Sequence, residues 1–267
     1  MNNVAAPEES CENACETAET APAPRPLAAI VLAAGQGTRM KSDLPKVAHL
    51  CAGRSLVRWA VDAVVAAGAT RVVTVIGHGA DLVRELVPET SFALQAERKG
   101  TGHAVSCALP SLADYHGPVL VTNGDSPLIT AATLTRLADA QRETGAAMVA
   151  LTFETTDQGY GRIVRDPETG YVLRIVEQKD CTPEEAAITE CNAGFYCFDK
   201  DALEAALARV TPNNAQGEYY LTDVLAICRA EGKVVLACKA DNFDECRGVN
   251  TPEQLAVAEG LLLERLA

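Results

Sequence analysis

Leu27-Ala28-Ala29-Ile30-Val31-Leu32-Ala33 runs straight into Ala34-Gly35-Gln36-Gly37-Thr38-Arg39-Met40. The first seven residues form a short apolar run ended by a glycine loop, which reads as a buried strand. Ser55 then stands at the N-cap of an apolar helix expected over Leu56–Ala67, stopped by Gly68. Arg71–Ile76 is a second, β-branched strand, followed by Gly77-His78-Gly79 and a helix near Asp81–Leu86. Strand, helix and strand in this order make a βαβ unit, and such units build a parallel sheet.

The pattern continues outward. A strand at Val119–Thr122 ends at Asn123-Gly124-Asp125, a helix runs from Thr130 to about Glu143, and Ala146–Phe153 is a strand. Gly161–Arg165 and Tyr171–Glu177 flank the turn sequence Asp166-Pro167-Glu168-Thr169-Gly170 and read as a hairpin. A strand near Cys191–Phe198, helices near Asp201–Arg209 and Glu218–Ala230, and a strand at Val234–Cys238 follow. An amphipathic helix at about Pro252–Leu266 closes the chain. The fold class is α/β, Rossmann-like and three-layered, with a mainly parallel mixed sheet. No internal repeat is present, and no hexapeptide array of the kind that builds a β-helix.

With 267 residues the chain accommodates one or two domains and needs no disulfide staples. Its 48% hydrophobic and 22% charged residues exclude a disordered protein as a whole. A formal net charge of −13 argues against a nucleic-acid-coating protein, which would carry basic stripes. An anionic substrate would have to find a locally basic pocket in a repulsive field. Residues 1–26 are rich in Glu, Ala and Pro, bury little, and are expected to be a disordered acidic tail. The ten cysteines are scattered without a CxxC pair, and the nearest two, Cys11 and Cys15, lie in that tail. Neither a secretory signal nor a membrane-spanning run is present, so free thiols in a reducing cytoplasm are expected.

The glycine loop carries the clearest chemistry. Glycines let successive backbone N–H groups turn toward phosphate oxygens. Between residues 36 and 46, Arg39, Lys41 and Lys46 outnumber Asp43, a local reversal of the chain's charge. The dinucleotide-binding pattern fails because Met40 stands where its third glycine belongs, and the P-loop pattern lacks its Gly-Lys-Ser/Thr.

Gly35-Gln36-Gly37-Thr38-Arg39-Met40 with Ser42-Asp43-Leu44-Pro45-Lys46 resembles the opening motif of the sugar-1-phosphate nucleotidyltransferases. The spacing is similar to that in the uridylyltransferase half of the bacterial bifunctional N-acetylglucosamine-1-phosphate uridylyltransferases. Further matches follow in order: Leu94-Gln95-Ala96-Glu97, Gly100-Thr101-Gly102-His103-Ala104, Gly124-Asp125-Ser126-Pro127-Leu128 and Gly159-Tyr160-Gly161-Arg162-Ile163. Ile175-Val176-Glu177-Gln178-Lys179-Asp180, Cys191-Asn192-Ala193-Gly194, the run Asn213–Asp223 and Gly248-Val249-Asn250 complete the set. The likeness spans about Leu27 to Leu266.

The resemblance implies a nucleotidyltransferase domain over residues 27–250 and a connector helix over 251–267. It implies uridylyl transfer from UTP to N-acetylglucosamine-1-phosphate, a reaction governed by positioning and charge neutralisation. Arg39 and Lys46 would meet the triphosphate. Leu32, Ala33, Ala34, Gly35, Gln95, Gly100, Thr101, Asn123 and Gly124 would contact the nucleotide, Gln95 reading the uracil through its amide. Gly161, Glu177 and Asn192 would contact the sugar, with Tyr220 and Thr222 as further candidates. Asp125 and Asn250 would hold Mg²⁺, which suits one carboxylate, one neutral oxygen, phosphates and waters. The attacking phosphate oxygen is already anionic, so no general base is required, and His78 and His103 receive no role.

Asn123 stands where the family usually has an aromatic, and Arg98 where it has a second base-reading Gln. Bifunctional members continue into a trimer-forming β-helix that acetylates glucosamine-1-phosphate. This chain stops at Ala267, so a monomer or weak dimer without acetyltransferase activity is expected, with no nucleic-acid or membrane partner. Another sugar 1-phosphate as substrate, or a non-catalytic nucleotide-sugar-binding protein, are the alternative readings.

Overall fold

The computed structural model describes residues 26–267, so the tail expected over residues 1–26 lies outside the described residues except for Pro26. The opening apolar run forms β1 (Ala28–Leu32), followed by β2 (Leu50–Cys51), β3 (Arg54–Ser55), α1 (Leu56–Ala66) and β4 (Arg71–Ile76). Next come α2 (Ala80–Leu86), β5 (Ser91–Leu94), α3 (Thr101–Ala108), β6 (Pro118–Asn123), α4 (Ala131–Thr144) and β7 (Met148–Glu154). The second half contributes β8 (Arg162–Arg165), β9 (Val172–Val176), α5 (Pro183–Ala186), β10 (Glu190–Asp199) and α6 (Lys200–Leu207). The chain ends with α7 (Asp223–Ala230), β11 (Val235–Lys239) and α8 (Pro252–Leu266).

Nine strands form one sheet, ordered β11-β7-β10-β6-β1-β4-β5, with the β8–β9 hairpin attached to β10. β1 pairs in parallel with both β4 and β6, β4 with β5, and β7 with β11. β10 runs antiparallel between β6 and β7. The sheet is therefore mixed and mainly parallel, as its βαβ pattern requires.

Alternation along β1 divides the core. Ala28 and Ile30 face a cluster that includes Val105 of α3, Leu203 of α6 and Val224 of α7. Ala29 and Val31 face the other way, toward Val61 of α1, Val83 of α2 and Leu134 of α4. Ser55 caps α1 by accepting from Arg58 N at 3.3 Å, and Thr130 caps α4 in the same way from Thr133 N at 3.2 Å. Among the described residues no helix is long and apolar enough to cross a membrane.

One helix starts later than the sequence pattern predicts. The helix expected from Glu218 begins only at Asp223. Tyr219 N donates to Lys99 O at 2.7 Å, Gly102 N to Tyr219 O at 2.8 Å, and Leu221 N to Thr101 Oγ1 at 3.1 Å. These bonds tie Tyr219 and Leu221 across to the start of α3 and hold them outside the helix. α3 and β5 themselves give little local signal: α3 opens on Thr101-Gly102-His103, poor helix formers, and β5 has only four residues.

α8 seats on the body of the domain through Ala258 and Leu262, which pack with Met40, Cys51, Leu56, Leu128 and Val249. Glu259 Oε1 accepts from Ala52 N at 2.9 Å, and Arg265 Nη1 donates to Leu128 O at 2.8 Å. Leu262→Ala should lower the free energy of unfolding by roughly 2–4 kcal/mol, read by urea denaturation, as core truncations do. A change below about 0.5 kcal/mol, in the range of surface substitutions, would show that α8 does not pack there.

Candidate active site

In an open α/β sheet, ligands sit outside the carboxyl ends of strands where the chain changes direction. β1 and β6 are neighbours here, yet the chain passes through β4 and β5 on the far side of β1 between them. The loop after β1 and the segment after β6 therefore frame one crevice.

The loop is compressed onto Lys46. Gly37 has φ +70°, and a Cβ there would overlap the Lys46 side chain. Lys46 opens a short 3-10 turn, Lys46–Ala48, behind Pro45. Its ammonium reaches Asp125 Oδ2, just after β6, and donates to Asn250 Oδ1, just before α8, at 2.9 Å. Arg39 Nη2 donates to the same Asn250 oxygen at 3.0 Å. Asp125 Oδ1 also accepts from Ser126 Oγ at 3.2 Å. Two cations and two oxygens from three chain segments thus meet at one point.

A cleft of about 270 Å³ opens on one side of this point. Leu32, Ala34, Gly35, Gln95, Gly100 and Thr101 line it, together with Lys46, Asn123 and Asp125. Gln95 is buried at 6% exposure at the end of β5. It is anchored by its backbone N–H to Ile76 O at 2.8 Å and by Nε2 to Gly100 O at 3.0 Å.

A second cleft, of about 380 Å³ and strongly polar, opens on the other side. Gly161, Glu177, Asn192, Arg39 and Asn250 line it, and it shares Asn123 and Asp125 with the first. Asn192 Nδ2 donates to Tyr196 Oη at 2.7 Å, and its Oδ1 accepts from Gly194 N at 3.1 Å. Glu177 Oε1 accepts from Thr222 Oγ1 at 3.1 Å. Burial pushes the Glu177 carboxyl above the usual carboxylate range, against the pull of the Thr222 bond and with help from Asp180, Asp223 and Glu218.

Most of the expected site residues line these clefts, with two exceptions. Ala33 and Gly124 line neither. Ala33 N donates to Val75 O at 2.8 Å and Gly124 N to Leu32 O at 2.9 Å, so these amides serve the sheet and cannot turn to a phosphate. Tyr220 and Thr222 are buried at 7% and 3% exposure behind the second cleft. Thr222 holds Glu177, and Tyr220 Oη accepts from Gln216 Nε2 at 2.8 Å. Sequence reasoning missed Val47, Ala104 and Glu218 in the first cleft, and Gln158, Ser126 and Gln254 in the second. The apolar ones carry no chemical signal, and the polar ones are common surface types. Arg98, exposed, stands at the rim of the first cleft.

The sheet, the glycine loop and the paired clefts define an α/β protein with a cation-bearing, two-lobed crevice at its strand ends. Residues 29–217 match the MobA-like NTP transferase domain, and the chain belongs to that family. Among curated relatives, the "Bifunctional protein GlmU" of Pelobacter propionicus is 47% identical over 244 residues, covering 90% of this chain and 53% of that protein. The protein of the same name from Enterococcus faecalis is 48% identical over 240 residues, covering 89% and 52%. The chain thus spans about half the length of the curated relatives it matches. A solved UDP-glucose pyrophosphorylase complexed with UDP-glucose shares the fold, with a TM-score of 0.71 at 20% identity over 90% of this chain and all of that one.

The raised Glu177 carboxyl has a consequence for stability. A carboxyl whose folded pKa lies above its unfolded value binds its proton more tightly when folded, so stability falls as pH rises through that window. Glu177→Gln keeps an acceptor for Thr222 and removes the buried charge. Its melting temperature should exceed the parent's near pH 8, and the difference should vanish near about pH 4, below the ordinary carboxylate pKa. A variant melting lower than the parent at pH 8 would show that the charged form is the stabilising one.

Proposed function

We propose that this chain transfers a uridylyl group from UTP to N-acetylglucosamine-1-phosphate, giving UDP-N-acetylglucosamine and pyrophosphate. The observation that carries the reading is the junction of two clefts at Asn123 and Asp125 beside the Lys46 ammonium. Similarity to the GlmU proteins supports the choice of substrates. The nucleotide occupies the first cleft, its base toward Gln95 and its triphosphate toward Gly35 and Lys46. The sugar occupies the second, its hydroxyl and N-acetyl groups toward Glu177, Asn192 and Gly161.

A sugar phosphate oxygen attacks the α-phosphorus, forming a new P–O bond while the bond to the β-phosphate oxygen breaks and pyrophosphate leaves. The nucleophile arrives deprotonated, so the protein positions and neutralises rather than moving a proton. Lys46 and Arg39 place positive charge where negative charge concentrates. Asn123, shared by both clefts, lies beside the reacting atoms.

Among the described residues no cluster of three or more His, Cys, Asp or Glu gathers as a metal site. The donor set that fits Mg²⁺ is smaller: the Asp125 and Asn250 oxygens, both hard and already converging on the Lys46 ammonium. Asp125 and Asn250 would hold the ion, with phosphates and waters completing its shell. Held there, the ion would supply further neutralisation of the phosphates' negative charge. The residues assigned to both clefts belong to a single chain, and a monomer or weak dimer is the assembly proposed. The eight cysteines among the described residues are all free thiols, which supports a reducing, cytoplasmic setting.

Pyrophosphate release measured across a panel of nucleoside triphosphates and sugar 1-phosphates tests the reading. It predicts that UTP with N-acetylglucosamine-1-phosphate is the preferred pair, with activity lost to EDTA and restored by Mg²⁺. A different preferred pair would move the assignment to another sugar phosphate. UDP-sugar binding without turnover would make the chain a binding protein. Lys46→Ala should lower kcat by roughly 10²–10³, as loss of a preorganised charge donor does. A folded variant with near-normal turnover would remove Lys46 from the mechanism.

A further inference from the structure

The Gln95 carboxamide is held at two points, and the second belongs to a residue given no role above. Nε2 donates to Gly100 O at 3.0 Å and stands 3.2 Å from His103 Nδ1, in the first turn of α3. A carbonyl oxygen only accepts, so Gly100 O fixes which end of the amide points inward. A reversed amide would set Oε1 against that oxygen. With Nε2 in place, its remaining hydrogen meets the Nδ1 lone pair of a neutral imidazole that carries its own proton on Nε2. That nitrogen stands 3.9 Å from Cys107 Sγ, a weak acceptor. Both Gln95 hydrogens are committed, and the amide offers the cleft it lines an acceptor, Oε1, and no donor.

This narrows the expected reading of uracil through the Gln95 amide to its oxygen alone. It rests on the uridylyl reading above and deepens it. Uracil carries a hydrogen on N3, whereas cytosine carries a lone pair there. An acceptor-only amide receives the first and repels the second. We propose that His103 is a specificity-determining positioning residue: its Nδ1 lone pair locks the Gln95 carboxamide with Oε1 outward, and so selects a uracil nucleotide over a cytosine nucleotide. A site built around a committed hydrogen-bond group discriminates strongly, because the wrong base leaves buried polar groups unpaired.

The test compares kcat/KM for UTP and CTP, with N-acetylglucosamine-1-phosphate saturating, in the parent chain, His103→Leu and His103→Asn. Leu removes the acceptor, while Asn returns a carbonyl oxygen near the Nδ1 position. The parent should favour UTP. His103→Leu should lower the UTP-to-CTP ratio by roughly tenfold, the scale of one hydrogen bond, and His103→Asn should recover most of it. The sugar phosphate KM should stay unchanged in both. An unchanged ratio in a folded His103→Leu, or a ratio that Asn fails to restore, overturns the positioning role. A parent that does not favour UTP overturns the uridylyl reading and, with it, this assignment. Should the Leu variant fail to fold, ¹⁵N NMR of the parent at about pH 8 decides. His103 should carry its proton on Nε2, and a protonated Nδ1 would overturn the proposal.

Discussion

One ammonium group ties this site together. Lys46 Nζ bonds to Asp125 and Asn250, which lie 79 and 204 residues further along the chain. Its side chain and that of Asp125 are only 15% and 16% exposed, so the pair is held largely out of water. Such a pair is tolerable only where other hydrogen bonds satisfy the remaining oxygens. Ser126 supplies one to Asp125 and Arg39 supplies one to Asn250. The loop after β1, the turn after β6 and the approach to α8 are thereby held at one place.

The clefts follow from that convergence. The absence of a side chain at Gly37 lets its loop close on Lys46, and the absence of one at Gly100 lets the start of α3 lie against Tyr219. The first contact places a cation at the mouth of the first cleft, and the second helps form its wall. Asn123 and Asp125 form the partition between the clefts, so groups bound on either side meet at the end of β6. α8, packed through Ala258 and Leu262, braces the segment that carries Asn250.

Much of this was legible in the residues, for identifiable reasons. The unbroken apolar run Leu27–Ala33 before a glycine loop and the capped helix after Ser55 announce a βαβ unit, because composition and cap are local properties. The basic glycine loop and the strand-ending Asp125 are likewise local, and so point to the same crevice. What was not legible is relational. Residues 219–221 have helical neighbours but give their backbone bonds to the start of α3. Ala33 and Gly124 stand within ligand-binding motifs, yet their amides belong to the sheet. Thr222 bonds to Glu177, and His103 stands against the Gln95 amide. Each of these depends on a partner distant in the chain or on a side-chain orientation, which no spacing reveals.

A crystal structure of the chain with UDP-N-acetylglucosamine and Mg²⁺ tests the central claim most directly. The account predicts uracil against Gln95 in the first cleft, the sugar against Glu177 and Asn192 in the second, and the diphosphate crossing between them at Lys46 and Asp125. A product bound wholly within one cleft, or with base and sugar exchanged, would contradict it.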